Sequence, residues 1–219
     1  LPAIASVRRV CWIVFLLANT KESISRLPAP ISKENLAFFI SDNISINKKL
    51  SANVGIRFSN FLSLGPSTQR EYGANGPLND QNVTNEITYK NNEVVKAYNG
   101  LEYRIALRQL LSETISLKLS YDTNYQYLHK LSTNTTQSPT DTWKLADLNI
   151  KPSFGQQVAF GVYKNFQGQP YEITLETYYK KSSNILDYKV GAELILNEHI
   201  ETEVLQGEGK SYGIELLLK

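Results

Sequence analysis

The stretch Ile115–Tyr127, ISLKLSYDTNYQY, alternates apolar and polar residues along its whole length and decides the class of fold. A period of two is that of an extended strand, in which successive side chains point to opposite faces. One face would carry Ile115, Leu117, Leu119, Tyr121, Thr123, Tyr125 and Tyr127, and the other Ser116, Lys118, Ser120, Asp122, Asn124 and Gln126. The stretch is therefore predicted to form a long β-strand with one apolar and one polar face.

The same alternation recurs on both sides of that stretch. It predicts further strands at Leu36–Ile40, Leu50–Phe58, Leu101–Leu107, Val158–Val162, Tyr171–Tyr179 and Tyr212–Leu218. Strands of about ten residues are longer than the usual five or six of a soluble sheet, and they suit a tilted, membrane-crossing strand. The sequence thus predicts an all-β protein with about seven long strands.

The links between the predicted strands alternate in length. Short links lie at Asp42–Lys49, Leu110–Thr114 and Asn165–Pro170, and long links at Phe61–Lys96, Leu128–Ser153 and Lys181–Gly209. In an antiparallel up-and-down meander, alternate links emerge at the same end, so long loops and short turns would lie at opposite ends. This asymmetry is typical of a transmembrane β-barrel, and tyrosines near strand ends are expected at its aromatic girdle: Tyr121, Tyr125 and Tyr127.

Composition argues against several classes of function. The formal net charge is only +2, with 23 basic and 21 acidic residues interspersed, so nucleic acid is not a predicted partner. A single cysteine, Cys11, provides no disulfide framework, and two histidines, His129 and His199, leave a zinc site almost without ligands. His199 lies near Glu198 and Glu201, but no catalytic motif surrounds either histidine. No enzyme activity, metal or cofactor is predicted.

Residues 1–33 are expected to differ from the remainder of the chain, residues 34–219, which is predicted to form the partial barrel. The apolar run Val10–Ala18 behind Arg8 and Arg9 is too short to cross a bilayer as a helix. It resembles either a secretory signal or a displaced piece of barrel or linker. Methionine is absent, so Leu1 is not expected to be an ordinary translation start, and the sequence is interpreted as a fragment.

A soluble antiparallel sandwich also alternates apolar and polar residues, and it is the alternative interpretation: a soluble β-rich binding or adhesion module. Three features favour the barrel. The link lengths alternate, and no second apolar surface is evident in the loops to close a sandwich core. The predicted polar faces carry long charged side chains, which suit a wide, wet bore: Arg57, Arg104, Arg108, Lys118, Glu172 and Glu176.

Several strings resemble, in their order along the chain, the C-terminal half of the barrel of TonB-dependent receptors, particularly the Bacteroidota type. Leu50–Phe61 (LSANVGIRFSNF) and Tyr98–Leu107 (YNGLEYRIAL) resemble two successive strands of that family, with Tyr103 where the second pattern usually has proline. Further matches are Thr133–Phe166 to a long loop and the next strand, and Tyr171–Lys180, Asp187–Leu196 and Gly207–Lys219 to later strands. The resemblance covers about Glu34 to Lys219.

The resemblance implies an outer-membrane receptor that binds a bulky, scarce substrate and passes it through a barrel blocked by a plug domain. A siderophore, cobalamin and a glycan all remain open as substrates. Energy would come from the inner-membrane TonB complex, and outer-membrane lipid would surround the barrel wall. The sequence shows no plug, no TonB box and no closing strand, so this chain is not expected to transport by itself.

Two groups of residues are candidates for contact with substrate or plug. Aromatic residues in loops on a rigid barrel are suited to substrate contact, and these are Tyr72, Tyr89 and Trp143. Trp143 has the alternative of packing its loop onto a neighbouring loop. Charges predicted to line the bore would either contact a plug or neutralise one another: Arg57, Glu102, Arg104 and Glu176.

Overall fold

The computed structural model describes residues 12–18, 32–74, 76–131, 142–168, 170–193 and 197–219. Its strands are β1 (Trp12–Ala18), β2 (Ser32–Ser45), β3 (Leu50–Leu64), β4 (Ser67–Tyr72), β5 (Val83–Tyr89), β6 (Val94–Leu110), β7 (Ile115–Gln126), β8 (Leu128–Leu131), β9 (Thr142–Leu145), β10 (Ser153–Asn165), β11 (Glu172–Tyr188) and β12 (Val204–Leu218). The helices in this part of the chain are two short 3-10 turns, Asp80–Asn82 and Ile200–Thr202. Neither is long and apolar enough to cross a membrane.

The large sheet is an antiparallel meander. Its strands lie in the order β1-β2-β3-β6-β7-β10-β11-β12, and β4–β5 and β8–β9 are two separate hairpins inserted in the long loops. The seven long strands confirm the predicted fold class. The short strand β1 pairs with β2, although it falls in the segment expected to differ from the barrel. The boundary between residues 33 and 34 stays a prediction, and Cys11 lies outside the described residues.

One face of the sheet is apolar over most of its strands. The register places Val54, Ile105, Tyr121, Val158 and Tyr179 side by side, because each is the direct partner of the next. Large side chains on this apolar face stay exposed; the exposed fraction is 47% for Leu119 and 45% for Val158. No second sheet covers this face within the described residues. The apolar stripes therefore do not pack against one another in a closed globule.

The opposite face is polar. One transverse row on it consists of Ser51, Arg108, Lys118, Gly161 and Glu176, again as direct partners in neighbouring strands. Because the side chains of a strand alternate between faces, the strict period of two in the sequence assigns the charged residues to this one polar face.

The short links lie where the sequence predicts them, and side chains complete their turns. Oδ1 of Asn47 accepts hydrogen bonds from the backbone N–H groups of Lys49 and Leu50, both at 2.8 Å. Oγ of Ser112 accepts from the N–H groups of Thr114 and Ile115 at 3.2 and 3.1 Å. Asn and Ser are suited to this role because their short side chains reach the backbone two or three residues ahead.

The predicted long link Leu128–Ser153 matches the gap between β7 and β10, but the other two are too long, because the strands beside them continue past the regular alternation. Strand β3 reaches Leu64, β6 already begins at Val94, and the hairpin β4–β5 occupies much of the space between them. The predicted strand Asp187–Leu196 is also wrong. Strand β11 ends at Tyr188, and a turn follows in which Gly191 has a φ of +80°, a value that ends extended structure. Residues 194–196 lie outside the described residues.

The buried core lies at the long-loop end rather than in the middle of the sheet. The Leu131 cluster consists of Leu131, Ile150, Ile200 and Val204, and the Phe61 cluster consists of Phe61, Tyr127, Leu145 and Ala146. The loops thus contribute apolar side chains to these clusters, but within the described residues they do not close a sandwich core over the sheet. Both clusters join loop residues to strand ends and leave the apolar face of the sheet uncovered.

Candidate functional site

Aromatic side chains pack on the polar face where the sheet meets the long loops. The rings of Phe61 and Tyr127 stack with centroids 4.7 Å apart and an interplanar angle of 5°. The Tyr127 hydroxyl is 2.7 Å from Oγ of the buried Ser59. Gly100 makes this close approach possible, because a Cβ there would lie 2.5 Å from the Tyr127 hydroxyl oxygen. The predicted girdle position of Tyr127 on the apolar face is wrong, because Tyr127 is only 8% exposed and contacts Phe61 and Ser59 of the polar face.

The pairing between β6 and β7 is interrupted near the long loops, in what we call the split, and this interruption accounts for the position of Tyr127. Their paired residues run only from Arg104 and Asp122 down to the short turn. Above that pair, side chains replace the ladder: the Thr123 hydroxyl accepts the Tyr103 N–H at 2.8 Å. The Glu102 carboxylate likewise accepts the Tyr125 N–H at 2.6 Å. The regular pairing of the two strands ends here, and the Phe61 cluster packs against Tyr98 of β6 and Tyr125 of β7.

Arg57 and Glu102 neutralise one another at this split. Arg57 Nη1 lies 2.9 Å from Glu102 Oε2, and Glu102 is only 7% exposed. Glu102 thus has a structural role in joining β3, β6 and β7. Two other predicted bore residues lie on the same face. Arg104 is directly opposite Asp122, and the Glu176 carboxylate accepts a hydrogen bond from the Tyr163 hydroxyl at 2.5 Å. Contact of these residues with a plug stays a prediction.

Buried and half-buried polar side chains join the three long loops in what we call the loop network: Tyr72, Lys144, Asp147, His199 and Glu201. Lys144 Nζ lies 2.9 Å from Asp147 Oδ2 and 3.9 Å from Glu201 Oε2. The Tyr72 hydroxyl donates to Glu201 Oε1 at 3.1 Å, and His199 Nδ1 lies 3.3 Å from the same oxygen. The members come from β4, from the segment around β9 and from the Ile200–Thr202 turn, so one network spans all three loops.

Burial and charge act in opposite directions on Lys144. Burial lowers the pKa of its ammonium group, but the carboxylates of Asp147 and Glu201 and the hydrogen bond to Asp147 outweigh burial, and the net shift is upward. Lys144 is therefore charged at neutral pH although only 15% of its side chain is exposed. A buried cation between two carboxylates is engaged in ion pairs, so Lys144 has a structural role and is not free to bind a ligand.

Further hydrogen bonds connect the loop network to backbone groups of the loops. Oδ1 of Asp147 accepts from the N–H groups of Asn149 and Ile150, both at 2.9 Å, and the Asp147 carbonyl accepts from the Tyr98 hydroxyl at 2.7 Å. Nδ2 of Asn149 donates to the Arg70 carbonyl of the first long loop at 2.9 Å. The described parts of the three loops therefore form a cross-linked platform above the polar face.

The three predicted substrate-contact residues have different surroundings. The Tyr72 hydroxyl is engaged in the loop network, where burial, followed by the Glu201 charge, raises the pKa of Tyr72. Tyr89 ends β5 and is half-buried beside Gly65. Trp143 is half-buried in β9, opposite Lys130. Their contact with a substrate stays a prediction.

Sequence reasoning missed Lys144, Asp147 and Glu201 as a unit, because they read as ordinary loop charges. Only the residues beside them gave a signal: Trp143 next to Lys144, and His199 two residues before Glu201. Their burial depends on contacts between loops far apart in sequence. No alternation or motif encodes such contacts.

His129 is buried and is paired with a member of the loop network. Its direct partner across the β8–β9 hairpin is Lys144, and it is only 5% exposed. Within the described residues, Nε2 of His129 has no hydrogen-bond partner. Burial lowers the pKa of His129, with smaller opposing effects from a backbone hydrogen bond at Lys151 and the Asp147 charge. No group of three His, Cys, Asp or Glu side chains in the described ranges is arranged to hold a metal ion.

Residues 17–219 match a protein-family model described as TonB dependent receptor-like, beta-barrel. The chain belongs to the TonB-dependent receptor family. This family of outer-membrane transport receptors is the one predicted from the strand strings. No curated protein sequence matches the chain.

A solved hemophore receptor shares this fold. The hemophore receptor HasR of Serratia marcescens, in complex with its hemophore HasA and heme, superposes with a TM-score of 0.52 at 10% identity. The match covers 91% of this chain and 33% of HasR, so the chain spans about a third of that receptor. The ferric-catecholate import receptor Fiu of E. coli K12, in its closed form, gives a TM-score of 0.47 at 14% identity over 84% of this chain and 25% of Fiu.

Proposed function

We propose that this chain supplies part of the barrel wall and the outer loops of a TonB-dependent receptor of the Bacteroidota type in the outer membrane. The observation that carries the proposal is the continuous apolar face, exposed across β3, β6, β7, β10 and β11, opposite a face of charged and small polar residues. Such a sheet is stable only where lipid contacts one face and water the other.

The substrate in this proposal is bulky and scarce, as for the receptor family, and a siderophore, a heme-type ligand, cobalamin or a glycan would fit that class. The loop network holds the described parts of the outer loops as a fixed platform, on which Tyr72, Tyr89 and Trp143 are the proposed contact residues. A plug domain would fill the bore on the polar face, and the TonB complex would supply energy.

We also propose that the chain does not transport by itself. Within the described residues, β12 has a partner strand on one side only, β11, and β1 likewise has only β2. A sheet with two open edges encloses no bore, and partner strands supplied from elsewhere in a receptor would be needed to close it.

Membrane fractionation tests this proposal. The chain, expressed in a Gram-negative host with an outer-membrane export signal, is expected in the outer-membrane fraction and to be released by detergent but not by high salt. Limited proteolysis should then spare the strands only when detergent or lipid is present. Recovery as a soluble monomer with equal protection in both conditions would contradict the proposal and favour the soluble β-rich module.

A further inference from the structure

A cavity lies on the polar face near the short-turn end, far from the loop network. Its volume is about 570 Å³. Its lining comes from β2, β3, β6, β7, β10 and the start of β11, and the members used below are Ser51, Asn53, Arg108, Ser116, Lys118 and Tyr163. Ala106, which has a small side chain, also lines the cavity.

Two cations lie side by side in this cavity. Arg108 and Lys118 are direct partners across the β6–β7 ladder, and both are exposed. Directly opposite side chains on one face of an antiparallel pair have Cβ atoms about 4.5–5.5 Å apart, and like charges at such positions destabilise the sheet. Neither cation has an ion-pair partner within the described residues.

The nearby carboxylates form no ion pair with either cation within the described residues. Glu176 lies in the same transverse row, two strands beyond Lys118, but it accepts the Tyr163 hydroxyl. Tyr163 lies across Gly161, the residue between Lys118 and Glu176, because a Cβ on Gly161 would be 2.9 Å from the Tyr163 hydroxyl oxygen. Glu172 also lines the cavity, at the start of β11, without forming an ion pair with either cation.

Neutral hydrogen-bonding groups surround the two cations. Ser51 is the direct partner of Arg108 on its other side, and Ser116 lies on the same face of β7 as Lys118. Asn53 donates to Asn43 at 2.5 Å, which leaves one of its two amide protons for another acceptor. A fork of guanidinium donors, an ammonium group and neutral donors are the groups that bind a carboxylate or a phosphate.

We propose that the Arg108–Lys118 pair is an anion site on the polar face of the barrel wall, which takes an oxyanion: the carboxylate of an acidic polypeptide segment lying against this face, or a free phosphate group. The bound anion would neutralise two like charges that the sheet otherwise holds together at a cost. This inference goes beyond the proposed transport function and does not depend on the identity of the substrate.

Calorimetric titration of the full 219-residue chain, folded in an uncharged detergent at low salt and pH 7, tests the site. Pentaglutamate is the probe for an acidic segment, and inorganic phosphate is the probe for a free oxyanion. Saturable binding of either is expected, and the probe that binds identifies the source of the oxyanion. Arg108→Gln and Lys118→Gln should each weaken binding about tenfold, the ratio that one charge-assisted hydrogen bond supplies.

Two further variants keep the test decisive. Lys180→Gln removes a cation from the same face outside the cavity lining and should leave binding unchanged. Lys118→Glu would give Arg108 a partner within the sheet, so it should abolish binding and raise the thermal unfolding midpoint. Absence of saturable binding to both probes, or an equal loss with Lys180→Gln, would overturn the proposal, because the attraction would then be non-specific charge.

Discussion

The middle of the sheet and its long-loop end are built in opposite ways. In the middle, Leu119 and Phe160 stay 47% and 41% exposed on the apolar face. At the long-loop end, Phe61 and Leu131 are each only 1% exposed, within packed clusters. The same chain therefore buries apolar side chains at its long-loop end, as a soluble protein does, and leaves apolar side chains exposed in the middle of the sheet.

This difference separates two sources of stability. The loop end has its own packing and its own buried ion network, and neither depends on an amphiphile. The middle of the sheet gains from apolar burial only if lipid or detergent supplies the second surface. The two regions should therefore respond differently to the same kind of substitution.

The largest effect is expected for Lys144→Ala in the loop network. Removal of the cation leaves the carboxylates of Asp147 and Glu201 buried without their partner, which should cost about 3 to 5 kcal/mol of local stability. Hydrogen exchange in the long loops would measure this loss. Lys151→Ala is the control, since Lys151 is exposed and bonds to Gln206 through its backbone groups. Equal exchange rates in the two variants would show that the network does not hold the loops.

The next effect distinguishes the two faces of β7. Leu119→Arg places a cation on the apolar face and should cost about 2 to 4 kcal/mol in a bilayer. Ser120→Arg places the same cation one residue further on, on the polar face, and should cost far less. Denaturant unfolding from lipid vesicles compares them. If Leu119→Arg were tolerated as well as Ser120→Arg, the apolar face would not contact lipid.

A smaller effect is expected for Tyr72→Phe. It removes one hydrogen bond to the Glu201 carboxylate but keeps the ring, at a cost of about 1 to 2 kcal/mol in the loops. Hydrogen exchange should show increased opening in the first and third long loops and an unchanged sheet. Tyr89→Phe provides the comparison, because Tyr89 is half-buried beside Gly65, outside the loop network.

The smallest expected effect is a pH dependence from His129. Its pKa is lowered in the folded chain, so the unfolded chain takes up a proton first, near the ordinary value of 6.5. The neutral, buried His129 therefore contributes to the stability of the folded chain above pH 6.5, and this contribution is lost as the pH falls towards the lowered pKa. His129→Gln should therefore reduce the loss of loop stability between neutral pH and pH 5, as measured by proteolysis. An unchanged pH profile would contradict this role.

The sequence predicts the middle of the sheet well, because an alternation such as that of Ile115–Gln126 is a local property. Each residue there is assigned to a face by its position alone, and the same rule orders Arg57, Arg104 and Glu176 on the polar face. The short turns are equally local, since Asn47 and Ser112 bond to backbone groups two or three residues away.

The long-loop end was not predictable in this way. Tyr127 continues the alternation of β7, yet Gly100 and Ser59, far away in the sequence, hold it on the polar face. Lys144 and Glu201 are buried by each other across separate loops. Such placements follow from tertiary contacts between residues of unrelated sequence patterns, so the family resemblance gave the fold but not the loop network.

The central claim is that the apolar face of the sheet contacts lipid while the polar face contacts water. Spin labels at single cysteines along β7, introduced in a Cys11→Ser background and reconstituted in vesicles, test it directly. Collisions with oxygen should peak at odd-numbered positions such as Leu119, and collisions with a water-soluble nickel complex should peak at even-numbered positions such as Ser120. Labels shielded from oxygen at the odd positions, or no alternation along β7, would contradict the account.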